Sequence, residues 1–260
     1  MNVSTIIKPC VLVLLLCVGQ AAASEPDFER ETRLSDEIVD VILDGDPVWL
    51  EAGGREFLGI YTEAEDYNVA VIILHGRGFH PDWADTINPL RVDLVERGYS
   101  TLSLQMPVLE KDAKYYDYVP IFHHAHPRIE AGIQYLRDNG FQKIVLLAHS
   151  CGVHMAMDWI RTKNDRSIDA FIGLGMGATD YKQPMHQPFP LDWMHVPILD
   201  LYGADEYPAV IRLAPERKAM IDKAGHANSQ QVVLPGANHY FTDQGDALVG
   251  AVADWLDQLK

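Results

Sequence analysis

The sequence predicts an α/β domain: a mostly parallel sheet with helices on both faces and antiparallel strands at its beginning. Two runs carry most of this, Val69-Ala70-Val71-Ile72-Ile73-Leu74 and Ile144-Val145-Leu146-Leu147. Both are continuously apolar and largely β-branched, as strands buried on two faces are. The third observation is alternation. Short apolar runs and stretches with apolar residues at helical spacing follow one another to the C-terminus, the order that parallel βαβ units need.

The elements can be justified in order. Residues 25–45 are acidic, and Phe28, Leu34, Ile38, Val39 and Ile42 are spaced as one helical face. This predicts an N-terminal helical arm, ended by the turn chemistry of Asp44-Gly45-Asp46-Pro47. Val48-Trp49-Leu50 and Phe57-Leu58-Gly59-Ile60-Tyr61 flank Ala52-Gly53-Gly54 and predict a β-hairpin. After the strand at 69–74 comes a helix across Pro89 to Arg97, then a strand at Thr101-Leu102-Ser103-Leu104. Ile129, Ile133 and Leu136 mark a helix that Asn139-Gly140 ends. The strand at 144–147 leads into a helix over Val153 to Ile160. Strands follow at 170–174, 198–202 and 231–234, and Leu248, Val252, Trp255 and Leu259 face a closing helix inward. A chain of 260 residues is within the reach of one hydrophobic core, so residues 24–260 are expected to form a single domain. Only about two dozen residues separate the strands at 170–174 and 198–202, too few for a cap domain. Met185, Phe189, Trp193 and Met194 there could make a small apolar flap.

Composition narrows the function classes. With 21 Lys and Arg against 37 Asp and Glu, the net charge is −16, which repels nucleic acid phosphates. The N-terminus carries Lys8, an apolar run from Cys10 to Val18, and Ala21-Ala22-Ala23 before Ser24. The run is short for a bilayer span, so residues 1–23 read as a cleaved signal peptide, with an exported, periplasmic or secreted product that keeps no stable membrane insertion. The bulky Leu16 before Cys17 speaks against a lipoprotein site. Cleavage leaves Cys151 as the single thiol, so no internal disulfide forms and the core must hold the fold.

Three strand ends carry chemistry, where functional groups of open α/β sheets gather. Ala148-His149-Ser150-Cys151-Gly152 lies between a buried strand and a helix; His75-Gly76-Arg77-Gly78 follows the most hydrophobic strand; Gly236-Ala237-Asn238-His239-Tyr240-Phe241 follows the last. A serine at such a turn projects from a helix N-terminus, where the Cys151 N–H and the helix dipole favour an oxyanion. An imidazole can take and return a proton near neutral pH.

Together these motifs resemble the α/β-hydrolase superfamily over about residues 48–260, with Ala148 in place of the first glycine of G-x-S-x-G. The motif style and N-terminus are those of poorly characterised exported bacterial hydrolases. The resemblance implies the α/β-hydrolase fold, Ser150 as nucleophile and His239 as general base. It also implies an oxyanion hole from the backbone N–H groups of Arg77 and Cys151, with Gly76 clearing the approach. The Arg77 side chain has two readings, a partner for a substrate carboxylate or for an internal acid. The third triad member should follow the strand ending Leu201-Tyr202-Gly203. Residue type favours Asp205 and G-x-x-D spacing favours Glu206; both remain candidates with Asp205 ahead, Asp180 next in line, and Asp200 structural within its strand.

The expected activity is hydrolysis of a small-molecule ester through an acyl-enzyme, without cofactor or metal. A thioesterase, an amidase or peptidase, or a catalytically silent binding module of the same fold are the alternatives. His123-His124-Ala125-His126 lacks the carboxylate or cysteine partners of zinc sites and reads as a polar helix start. Tyr115, Tyr116, Tyr118 and Phe122 form an aromatic loop that either walls a pocket or packs. Cys151 reads as a packing residue.

Overall fold

The structure, a computed structural model, describes residues 24–65, 69–180 and 182–260. The expected signal peptide, with Cys10 and Cys17, lies outside the described residues.

One eight-stranded sheet organises the chain, in the order β1-β2-β4-β3-β5-β6-β7-β8. Strands β1 (Asp46–Ala52) and β2 (Arg55–Thr62) form the predicted hairpin. Its register leaves Gly53 and Gly54 as a two-residue loop, both at positive φ, which suits the twist of an antiparallel ribbon. β2 then runs antiparallel to β4 (Ser100–Leu104). From there β3 (Val69–Leu74), β5 (Lys143–His149), β6 (Ala170–Leu174), β7 (Ile198–Asp205) and β8 (Gln230–Asn238) continue the sheet in parallel.

The helices are α1 (Phe28–Val39), α2 (Ile87–Glu96), a single turn α3 (Tyr115–Tyr118), α4 (Ala125–Asp138), α5 (Cys151–Lys163), α6 (Pro208–Ala224) and α7 (Gly245–Asp257). The pleat sorts side chains between the two faces. Ala70, Ile72 and Leu74 of β3, with Ile144, Leu146 and Ala148 of β5, face a core that includes Ile129 and Ile133 of α4 and Val153 and Ala156 of α5. Val69, Val71 and Ile73, with Val145 and Leu147, face Leu90 and Leu94 of α2 and Leu248, Val252 and Trp255 of α7. Burial on both faces is why β3, and β5 from Ile144 to Ala148, are apolar at every position. Among the described residues no helix is long and apolar enough to cross a membrane.

Three elements depart from the expectation. The arm is helical only to Val39, started by Asp27, whose side chain accepts the Arg30 N–H at 2.9 Å. It docks through Ile38 against Leu58 and Ile60, and also through Glu31, a buried carboxylate paired with Arg128 of α4 at 2.7 Å. Helix α6 has no counterpart in the sequence expectation. Pro215 interrupts its interior, and one inward position is Arg217, whose Nε donates to the buried Asp200 of β7 at 2.7 Å. A proline and a buried charge together mask the helical pattern. Strand β8 runs on to Asn238 through Pro235; it is an edge strand, where a missing N–H is tolerated.

Among the described residues, the segment between β6 and β7 carries a short 3₁₀ turn, Leu191–Trp193, and no cap. Phe189 and Met194 are buried in the core with Met185 against it, and Trp193 is exposed, so these residues anchor the segment instead of forming a flap.

Candidate active site

The Ser150 turn is shaped by close packing. Leu74 pairs with Ala148 in register, so the ends of β3 and β5 lie side by side. A Cβ on Gly152 would sit 2.6 Å from the His75 carbonyl oxygen and 2.7 Å from that of Leu74, so only glycine lets α5 start there. The turn between strand and helix holds Ser150 at φ 55°, a left-handed conformation costly for a residue with a Cβ. It aims Oγ away from the sheet, and Ala148, buried in β5, fits without strain at the position where the motif has glycine.

His239 follows β8 and meets Ser150 directly. Its Nδ1 lies 2.6 Å from Glu206 Oε1, and its Nε2 lies 2.8 Å from Ser150 Oγ. An ionised carboxylate only accepts hydrogen bonds, so the ring proton is on Nδ1 and Nε2 is left to accept from the serine hydroxyl. Of the two candidate acids, it is Glu206, and not the favoured Asp205, that meets the imidazole. Asp205 is exposed at the end of β7, whereas Glu206 is 6% exposed and reaches the imidazole. Adjacent residues at a strand end point opposite ways, and the longer carboxylate is the one turned inward. Glu206 Oε1 also accepts the Tyr207 N–H at 2.7 Å. Asp180 is not an alternative acid: its two oxygens accept from Arg77 at 3.0 and 3.2 Å, which settles that side chain on an internal partner. Although burial opposes ionisation of Asp180, the bonds from Arg77 and from the Tyr115 N–H hold its carboxyl below the usual aspartate range.

Several neighbours that sequence reasoning missed hold this arrangement. Gly175, at φ 61° after β6, leaves room for the pair: a Cβ there would lie 2.9 Å from His239 Nδ1 and 3.1 Å from Glu206 Oε2. The glycine-dense run Gly173-Leu174-Gly175-Met176-Gly177 was the available signal. His149 donates from Nε2 to the His239 carbonyl at 2.9 Å and fixes the backbone there. Tyr207 stacks on the His239 ring with centroids 4.3 Å apart, and its hydroxyl meets that of Tyr240 at 2.7 Å.

The loop after β3 is tied down as firmly. His75 Nδ1 donates to the Gly76 carbonyl at 2.8 Å, and its Nε2 accepts the Met106 N–H at 2.8 Å. A chain of contacts continues from Gln105, beside His75 Nε2, through its carbonyl to Arg128 and on to Glu31 of α1. Gly76 packs against the serine turn, where a Cβ would approach His149 Nδ1 and Ser150 Cβ to 3.2 Å each. Arg77 and Cys151 both line the cleft at Ser150, and the Cys151 N–H, in the first turn of α5, has no intrahelical acceptor. Burial pushes the Cys151 thiol up to about 12, so it is a neutral packing group.

The cleft itself is small, about 50 Å³, and is completed by Phe79, Tyr115, Ala178, Thr179, Tyr207 and Tyr240. Of the aromatic loop, Tyr115 lines it while Tyr118 and Phe122 are buried in the core. The clustered histidines diverge: His126 bonds to Asp158 at 2.8 Å, and His124 to the Ser24 carbonyl at 3.2 Å. Among the described residues no group of three or more His, Cys, Asp or Glu side chains could hold a metal ion.

This sheet, with a serine at the turn after β5 and a histidine after β8, is the α/β-hydrolase fold. Within it, the chain belongs to the family described as "Protein of unknown function (DUF3530)", which it matches over residues 17–118 and 122–258. Among curated proteins none matches. Solved structures share the fold at low identity. An esterase of Pyrococcus furiosus, Pf2001, superposes with a TM-score of 0.62 at 18% identity, covering 82% of this chain and 92% of that one. XC6422 of Xanthomonas campestris, described as an α/β serine hydrolase without lid, gives 0.62 at 13%, covering 84% and 96%. Est1E of Butyrivibrio proteoclasticus gives 0.61 at 15%, covering 82% and 98%.

Three buried histidines around the site make stability depend on pH. Burial lowers His75 and His149 to about 3 and His154 to about 4, against 6.5 in an unfolded chain. The unfolded state thus binds protons that the native state refuses. This contribution to stability is complete above pH 6.5 and is lost as pH falls toward 4, by up to about 1.4 kcal/mol per pH unit for each histidine. Glu31, raised by burial, works in the opposite direction, so the difference between variants is the readout. Urea unfolding between pH 7 and pH 4.5 should show a shallower pH slope for His154→Gln than for the parent chain. Equal slopes would show that His154 is protonated in the native state.

Proposed function

We propose that the protein is a carboxylic-ester hydrolase working through an acyl-enzyme, and one observation carries this: the unbroken hydrogen-bonded series Ser150–His239–Glu206 at the carboxyl ends of β5, β8 and β7. In the first half-reaction Oγ attacks the ester carbonyl while Nε2 takes the hydroxyl proton. Charge builds on the carbonyl oxygen, and in this reading the backbone N–H groups of Arg77 and Cys151 receive it. Collapse of the tetrahedral adduct breaks the bond to the alkoxy oxygen, and the imidazolium returns its proton to the departing alcohol. Water then repeats the sequence on the acyl-serine and releases the acid. Glu206 keeps the proton on Nδ1 and stabilises the imidazolium throughout.

The small cleft at Ser150, without a cap over it, favours a short acyl or alcohol group at the reacting carbon.

The acid supplies the sharpest test. Glu206→Gln preserves shape but removes the charge beside Nδ1, and should lower kcat on an active short-chain aryl ester by about ten-thousand-fold. Asp205→Asn should change kcat less than about twofold, because that side chain faces outward. Comparable losses in both variants would contradict the assignment.

Export belongs to the same proposal and rests on the apolar run from Cys10 to Val18 and on Ala21-Ala22-Ala23. N-terminal sequencing of the protein recovered from cells should read Ser24-Glu25-Pro26; a retained N-terminus or a lipid on Cys17 would overturn it.

A further inference from the structure

A second, larger hollow adjoins the cleft at Ser150. Arg77, Thr179 and Tyr207 line both, and the hollow, of about 320 Å³, adds Asp180, Lys182, Pro208, Ala209 and Arg212. A substrate whose carbonyl sits on Ser150 therefore has a path for one arm past the Arg77–Tyr207 neck.

The charge of this hollow is opposite to that of the chain. Arg77 and Arg212 line it beside one carboxylate, Asp180, in a protein whose net charge is −16. The Arg77–Asp180 pair is internally balanced. Although burial works against the guanidinium charge, the bonds to Asp180 outweigh it and hold Arg77 protonated above its ordinary range. Two of the five guanidinium N–H donors go to Asp180. Its plane is thereby fixed at the neck, with donors left over. The uncompensated charge comes from further out. Arg212 lies on the first turns of α6, is exposed, and enters no ion pair among the described residues. An exposed arginine on the wall of a concave site, with apolar Pro208, Ala209 and Tyr207 beside it, fits a chain that is aliphatic and ends in an anion. On so acidic a protein, a local basic hollow at the nucleophile also selects anions that the remaining surface repels.

From this we infer that the hollow binds the far arm of the substrate, and that this arm ends in an anionic oxygen group, a carboxylate or a phosphate, held by Arg212. The inference rests on the reading of Ser150 as the nucleophile of an ester hydrolase and names the class of ester.

Binding to Ser150→Ala protein separates the two claims, because it needs no turnover. Calorimetric titration would compare monomethyl glutarate and 2-acetoxyethyl phosphate with neutral dimethyl glutarate. At least one anionic ester should bind tenfold or more tightly than the neutral one, and which of the two does so tells carboxylate from phosphate. Adding Arg212→Gln should remove most of that preference, and raising salt from 50 to about 500 mM should weaken it, as for any exposed charge contact. Equal binding of all three esters, or a preference that survives Arg212→Gln in a variant with an unchanged circular-dichroism spectrum, would overturn the inference. Wild-type turnover reads the other claim. If no ester in a broad panel is hydrolysed while the Arg212-dependent preference stands, the ester-hydrolase reading falls and the anion site remains.

Discussion

The backbone contact between the start of α5 and the end of β3 is the constraint on which the rest of the site depends. Gly152 lies so close to the carbonyls of Leu74 and His75 that no Cβ fits, and the same contact brings the serine turn against the Gly76 loop. The serine conformation at φ 55° and the nearness of the Arg77 and Cys151 residues follow from that one approach. The cost of a left-handed serine, of order 1–3 kcal/mol, is borne by the surrounding core. That core is large: β3 and β5 are buried on both faces by helices on opposite sides of the sheet.

Around this turn the buried polar groups are neutral or paired. His75 and His149 are kept uncharged by burial, and each spends its N–H on a backbone carbonyl at the site, that of Gly76 or of His239. The buried charges are matched, Glu31 by Arg128 and Asp200 by Arg217, since breaking such a pair strands a charge at a cost of about 3–5 kcal/mol. Through Arg128 and Gln105 the N-terminal helix is joined to the loop that holds Gly76. An element the sequence presents as a peripheral arm is thus continuous with the site.

The sheet was legible in the sequence because strands buried on both faces admit little but apolar residues, and the three site motifs because tight turns at strand ends demand small neighbours. What escaped has a physical explanation in each case. Helix α6 was hidden by Pro215 and by Arg217 at an inward position. The choice between Asp205 and Glu206 turns on which of two consecutive side chains faces inward at the end of β7, and there residue type and motif spacing pointed to different residues. Gly175 works by leaving space, a role that no side-chain chemistry announces. The pairing of Arg77 with Asp180 spans 103 positions of chain, beyond any local pattern.

The central claim is that Ser150 is an activated nucleophile, and covalent capture tests it most directly. Purified protein treated with a fluorophosphonate should gain the mass of one adduct, and peptide mass spectrometry should place it on Ser150. Labelling should vanish in Ser150→Ala and slow steeply in His239→Ala. A wild-type protein that stays unlabelled at high probe concentration, or a Ser150→Ala variant that labels as fast as the parent chain, would contradict the account.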